Sequence, residues 1–178
     1  MNLRLSLPAN SKLVRYLRSR AAAPEAVSSA RFRESASPES TDDPYYSLGA
    51  HPDLVSWFWD ELTTKLPAKC KRVVCGAPVL VHPGSGVLFG FAGGTHTYAL
   101  RLPPKERNAA VQAGCKRVWN YPAYPDLHIA ASTLRLDDIG EEWVFGQFQA
   151  REKEWCLAAY VFAGSHAEGM SNSEPSLG

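Results

Sequence analysis

Residues 72–103 read RVVCGAPVLVHPGSGVLFGFAGGTHTYALRLP, and this stretch decides the fold. Apolar, β-branched and aromatic residues are cut into short runs by Gly, Pro and Ser, the pattern of strands joined by tight turns. The runs predict three strands, at about 72–82, 87–92 and 95–102, forming an antiparallel meander. Pro83-Gly84-Ser85-Gly86 turns the chain once. Gly93-Gly94 turns it again as a two-residue hairpin, where glycine supplies the positive φ. Pro103-Pro104 ends the third strand, because proline has no N–H to give a ladder.

These turns fix an expected pairing. Across Gly93-Gly94, Ala92 faces Thr95, Phe91 faces His96, Phe89 faces Tyr98 and Val87 faces Leu100. Across the four-residue loop, His82 faces Val87, Leu80 faces Phe89 and Pro78 faces Phe91. Alternation then puts Leu80, His82, Val87, Phe89, Phe91, His96, Tyr98 and Leu100 on one bulky face. The other face carries Cys75, Val79, Val81, Leu88, Gly90, Ala92, Thr95, Thr97, Ala99 and Arg101. Its small central residues leave room for a helix.

Both faces carry apolar residues and are expected to be at least partly covered, so the sheet is either sandwiched or opens on a cleft. In the segment 52–66, Pro52 suits a first helical position, and Leu54, Val55, Phe58, Trp59, Leu62 and Leu66 fall on one arc. Trp57 lies outside that arc and needs a cover, from the chain itself or from a partner. Segment 105–115 reads as a short helix with Gly114 near its end. Residues 118–121, parts of 127–136, and 143–148 read as further strands. Segment 150–163 is helical, with Trp155, Ala158, Ala159 and Phe162 on one stripe and Leu157 and Val161 opposite. The chain is therefore expected to be one small α+β domain: an antiparallel meander at about 72–103 packed by helices at about 52–66, 105–115 and 150–163. The domain spans 44–164, between a basic disordered tail at 1–43 and a disordered C-terminal tail at 165–178. Within the first tail, Ser11 can cap a helical stretch with Leu13, Tyr16 and Leu17 opposite Lys12, Arg15 and Arg18.

The 178 residues carry a net charge of +1, unevenly spread. Residues 1–33 hold seven basic residues and one acidic, whereas 34–178 hold 12 basic and 17 acidic. A folded part confined to the second region is a poor match to phosphate backbones. The Arg-rich, acid-poor start also fits an organellar targeting segment, set against the simpler expectation of a cytoplasmic protein. The longest apolar run, 155–163, is too short to span a bilayer.

No catalytic or metal-binding signature stands out. Cys70, Cys75, Cys115 and Cys156 have no CxxC spacing and no histidine at zinc-finger distance, so free thiols are expected. The expected pairing puts His82 and His96 four rungs apart, about 13 Å along the strands, too far to share a metal. There is no GxSxG, phosphate-binding glycine pattern or HExxH. No cofactor is implied. The binding candidates are Trp57, His96, Tyr98 and Arg101: a histidine and a tyrosine able to line a shallow pocket, an arginine near the strand end, and a tryptophan off the core arc.

Several short motifs carry a family resemblance. Cys75-Gly76-Ala77, Gly86-Val87-Leu88-Phe89 and Tyr98-Ala99-Leu100-Arg101-Leu102 resemble the TfoX N-terminal and YjbR-like domains. Glu142-Trp143-Val144 and Trp155 with Ala159-Tyr160 resemble that family's tryptophan before a strand and its closing helix. The resemblance covers about 52–163 and implies a compact α+β fold without a cofactor and with no catalytic residue to carry over. Three functions are then in play. The first is a non-enzymatic binding or regulatory module, with a protein partner or homo-oligomer contacting Trp57 and the outer side of helix 150–163. The second is nucleic-acid association through the basic tail. The third is a small-molecule site on the His96 and Tyr98 face.

Overall fold

In the computed structural model the described residues are 4–21, 52–93, 97–121, 132–146 and 151–171. They form a small α+β domain built on a five-stranded antiparallel sheet. The strands are β1 (Lys71–Val74), β2 (Ala77–Val81), β3 (Leu88–Gly93), β4 (Thr97–Arg101) and, beyond a β5–β6 hairpin, β7 (Trp143–Gly146). Their spatial order is β1-β2-β3-β4-β7. The small hairpin pairs β5 (Val118–Tyr121) with β6 (Ser132–Arg135). Lys116 and Phe145 exchange two backbone hydrogen bonds, so the outer edge of β7 is partly paired. The helices are α1 (Ser11–Ala21), α2 (Pro52–Ser56), α3 (Pro104–Gln112), the single turn α4 (Leu136–Ile139) and α5 (Glu152–Ser171). α2 runs on through a wider π-helical turn, Trp57–Glu61, rather than as one regular helix to residue 66.

The meander stands, with four strands rather than three. The expected first strand folds back on itself at Cys75-Gly76, where both residues have positive φ (48° and 75°). Two successive left-handed residues make the tightest hairpin connection, and Gly76 takes that geometry without strain. Cys75, expected on the second strand face, is buried in this turn instead.

The register also differs. β3 and β4 pair Gly90 with Leu100, Phe91 with Ala99, Ala92 with Tyr98 and Gly93 with Thr97. Gly93 thus pairs within the ladder rather than turning the chain, and Gly94, Thr95 and His96, on which the expected two-residue turn and its flanking pairs fall, lie outside the described residues. Between β2 and β3, Val81 pairs with Leu88 as expected, but Leu80 then pairs with Gly90 across a bulge. The extra residue sends Phe89 and Gly90 toward the same side and turns Phe91 to the other. A Cβ on Gly90 would meet Leu80 at 3.0 Å and Leu100 at 3.3 Å, which fixes its side.

Both faces of the sheet are covered. One buries Leu80, Phe89, Ala92, Tyr98, Leu100 and Val144 under α2, with Leu54, Val55, Phe58 and Trp59, and under α5, with Trp155, Cys156, Ala159 and Ala163. The other buries Val79, Val81, Leu88, Phe91, Ala99, Trp143 and Phe145 under Leu13, Val14 and Leu17 of α1 and Ile139 of α4. Residues 4–21 were expected within a disordered tail; instead they form one layer of the domain. The reason is that Leu13, Val14 and Leu17 share one side of a helix long enough to cover a sheet face. The C-terminal helix likewise continues past residue 164 to Ser171. Residues 1–3, 22–43 and 172–178 of the expected tails, and 44–51 at the start of the expected domain, lie outside the described residues.

The turn between β2 and β3 ties both outer layers to the sheet. On one side the Asn10 side chain, fully buried, donates to the carbonyls of Arg4 and Gly86 (both 2.9 Å) and accepts from the Leu88 amide (2.8 Å). On the other the Ser85 hydroxyl donates to the Ala163 carbonyl of α5 at 2.8 Å. The His82 ring lies against Tyr160 of the same helix, 4.6 Å between centroids.

Candidate functional site

Of the four residues singled out, the fold brings two together. Tyr98, in the middle of the covered sheet, is 2% exposed. Trp57 lies over it, half-buried, with ring centroids 5.3 Å apart, and Phe58 flanks it at 6.4 Å. Trp57 therefore has its cover within the chain: the wide turn after α2 swings it onto Tyr98. The Tyr98 ring also needs the missing side chain of Gly146, since a Cβ there would meet the phenol oxygen at 2.8 Å.

Beneath this aromatic pair is a polar spot that the sequence pattern missed. Glu152, at the start of α5, is only 3% exposed. Its carboxylate stands beside the Tyr98 hydroxyl, short of good hydrogen-bond geometry. Burial first, and then Glu152, push the Tyr98 phenol well above its ordinary range, so it stays protonated. The signal available in the sequence was a first-turn glutamate three residues before the buried Trp155.

Arg101 is on the opposite face, as alternation required, and it is buried rather than solvated (2% exposed). Its Nη2 donates to the Ala9 carbonyl, its Nε lies 3.4 Å from a Glu142 carboxylate oxygen, and its guanidinium stacks 4.9 Å from the Trp143 ring. Burial lowers its pKa to about 10, with Glu142 opposing, and it remains cationic at neutral pH. These contacts hold the N-terminal segment to the sheet. His96, the fourth candidate, lies outside the described residues.

The thiols offer no activated nucleophile. All four cysteines are buried and none forms a disulfide. Burial pushes Cys70 and Cys115 up to about 11, the first against Arg72 and Lys71, the second helped by Glu152. Cys156 is raised further by burial and by nearby Cys70. A thiol held protonated attacks poorly. Among the described residues no cluster of three His, Cys, Asp or Glu side chains could hold a metal ion.

The outer surface carries an apolar strip on α5 and a depression against α3. The exposed side of α5 carries Leu157 at 38% and Val161 at 63% exposure, one turn apart. An open depression of about 260 Å³ lies against α3, lined by Arg107, Asn108, Val111, Gln112 and Arg117. Arg107 is oriented there by donating to the Glu141 carbonyl at 2.8 Å. No helix of the described residues is long and apolar enough to cross a membrane. No protein-family model matches the chain, and neither does any curated protein or solved structure.

Proposed function

We propose that this chain is a non-enzymatic binding module that engages a protein partner through the outward side of α5. The observation that carries the reading is Val161, 63% exposed, with Leu157 one turn before it. The same helix is fixed from behind by Trp155, Cys156, Ala159 and Ala163, so the apolar pair is held rigidly outward. Half-buried Ala158 and Phe162 extend the strip, and exposed Lys153, Glu154 and Ser165 give it a polar border. Apolar anchors at i and i+4 within a polar rim suit a hydrophobic groove on another protein. Trp57 leaves the proposed interface, because its ring is engaged on Tyr98. The buried Tyr98 hydroxyl also weighs against a small-molecule site on that sheet face. On the same footing we place the chain beside the TfoX N-terminal and YjbR-like domains; the short motifs and the antiparallel α+β arrangement support that placement.

The test puts a photo-crosslinking amino acid at position 161 of the full chain and identifies the adducts by mass spectrometry. The account expects a defined protein adduct, and loss of that partner's capture by Val161→Asp but not by Val111→Asp. Equal capture by the wild type and Val161→Asp would overturn it.

A further inference from the structure

The α1 helix shows sheet and solvent two different chemistries. Its inner side, Leu13, Val14 and Leu17, is wholly buried in the domain. Its outer side exposes Ser11, Lys12, Arg15, Arg18 and Ser19. Just before it, Arg4 lays its stem along Gly86 and is itself exposed. Residues 4–21 contain five basic residues and no acidic one, against twelve basic and eleven acidic in the remaining described residues. The other described residues are nearly balanced in charge, so the net positive charge of the described body is gathered on the α1 layer.

The positions also line up. Residues three or four apart share a helix side, so Lys12, Arg15 and Arg18 form a row about 9 Å long at about 1.5 Å per residue. A nucleic-acid duplex offers about one negative charge per 1.7 Å of axis, so such a row meets several phosphates at once. Ser11 and Ser19 are small and leave room for a backbone to approach. Arg18 also makes a contact within the protein. The acidic turn packed on α1, Leu136–Ile139, has the Asp138 carboxylate engaged on the Arg135 amide at 2.8 Å.

We propose that the outward face of α1 binds nucleic acid through the phosphate backbone, without reading base sequence. Charge complementarity selects the polyanion, and burial selects among polyanions. A basic amphipathic helix that docks on a membrane does so by sinking its apolar side into the lipid. Here that side is already occupied by the sheet, which leaves only the charged row for a partner. A rigid row on a folded layer also differs from a basic tail, because its side chains are held on one side at fixed spacing.

The experiment is a fluorescence-anisotropy titration of the full chain with a labelled duplex of random sequence, repeated over a range of salt concentrations. Binding is expected to weaken steeply and linearly on a log–log plot against salt. Because both side chains are exposed, Lys12→Gln/Arg15→Gln should melt as the wild type does. It should make the salt slope shallower by about two units and weaken binding by at least about tenfold, as the loss of two phosphate contacts requires. Absence of duplex binding at low salt would overturn the proposal, as would an unchanged slope in the double variant. So would equal or tighter binding to phosphatidylserine vesicles or to a polyglutamate peptide.

Discussion

The Nδ1 atom of His82 accepts two backbone N–H groups, from Gly84 at 3.2 Å and from Ser85 at 3.0 Å. Both bonds require that nitrogen to be unprotonated. Partial burial lowers the His82 pKa below its ordinary 6.5. The folded state therefore binds fewer protons than the unfolded chain in that window, and stability rises with pH there. The contribution is complete above about 6.5 and is lost as pH falls through the lower folded value. His82→Asn offers a carbonyl oxygen to the same amides without titrating. Chemical unfolding at a series of pH values should show a flatter acid limb for His82→Asn; an unchanged limb would remove His82 from the account. At this scale the sequence was legible in part. Alternation put Tyr98 and Arg101 on opposite faces, because an odd separation along a strand must do so. It could not show that Arg101 is buried, since the groups that cover it, Ala9 and Trp143, come from distant parts of the chain.

Among the elements, β7 follows closely from its sequence pattern, whereas α5 follows at its start but runs on to Ser171 and buries Cys156 and Ala163 in place of Ala158 and Phe162, and α1 follows in outline. The stripe of Leu13 and Leu17 marked a helix; what it did not reveal was the sheet face waiting for it. That face was hard to read because one bulge residue in β3 and one extra residue before β4 change the strand parity, and Phe91 moves across the sheet. A strand pattern fixes a face only while the register holds. Asn10 is the joint between α1 and the sheet, and a polar residue directly ahead of an amphipathic stretch was its one visible sign. Asn10→Ala leaves the buried Leu88 amide without its acceptor and removes the side-chain donor from the Gly86 carbonyl, while the Arg4 carbonyl keeps the Leu7 amide. Equilibrium denaturation should register a loss of about 2–3 kcal/mol. A loss below about 0.5 kcal/mol would mean that water replaces the side chain freely.

For the whole molecule, the described structure is a sheet closed on both faces, by α2 and α5 on one side and α1 on the other. The antiparallel α+β class was legible from the meander alone. The closure was not, because it depends on a segment whose composition resembles a solvated tail. Closure buries the inner aromatic row and leaves the outward sides of α5 and α1 exposed. Burying Leu13, Val14 and Leu17 is worth about 5–8 kcal/mol as an upper estimate. That is comparable with the entire net stability of a typical domain, about 5–15 kcal/mol. The most direct test is thermal unfolding, with a hydrophobic dye present, of the chain lacking residues 1–21 beside the full chain. The account predicts a lost or strongly lowered transition and dye binding to the uncovered face of Val79, Phe91 and Phe145. An unchanged midpoint without dye binding would contradict it and return the segment to the status of a tail.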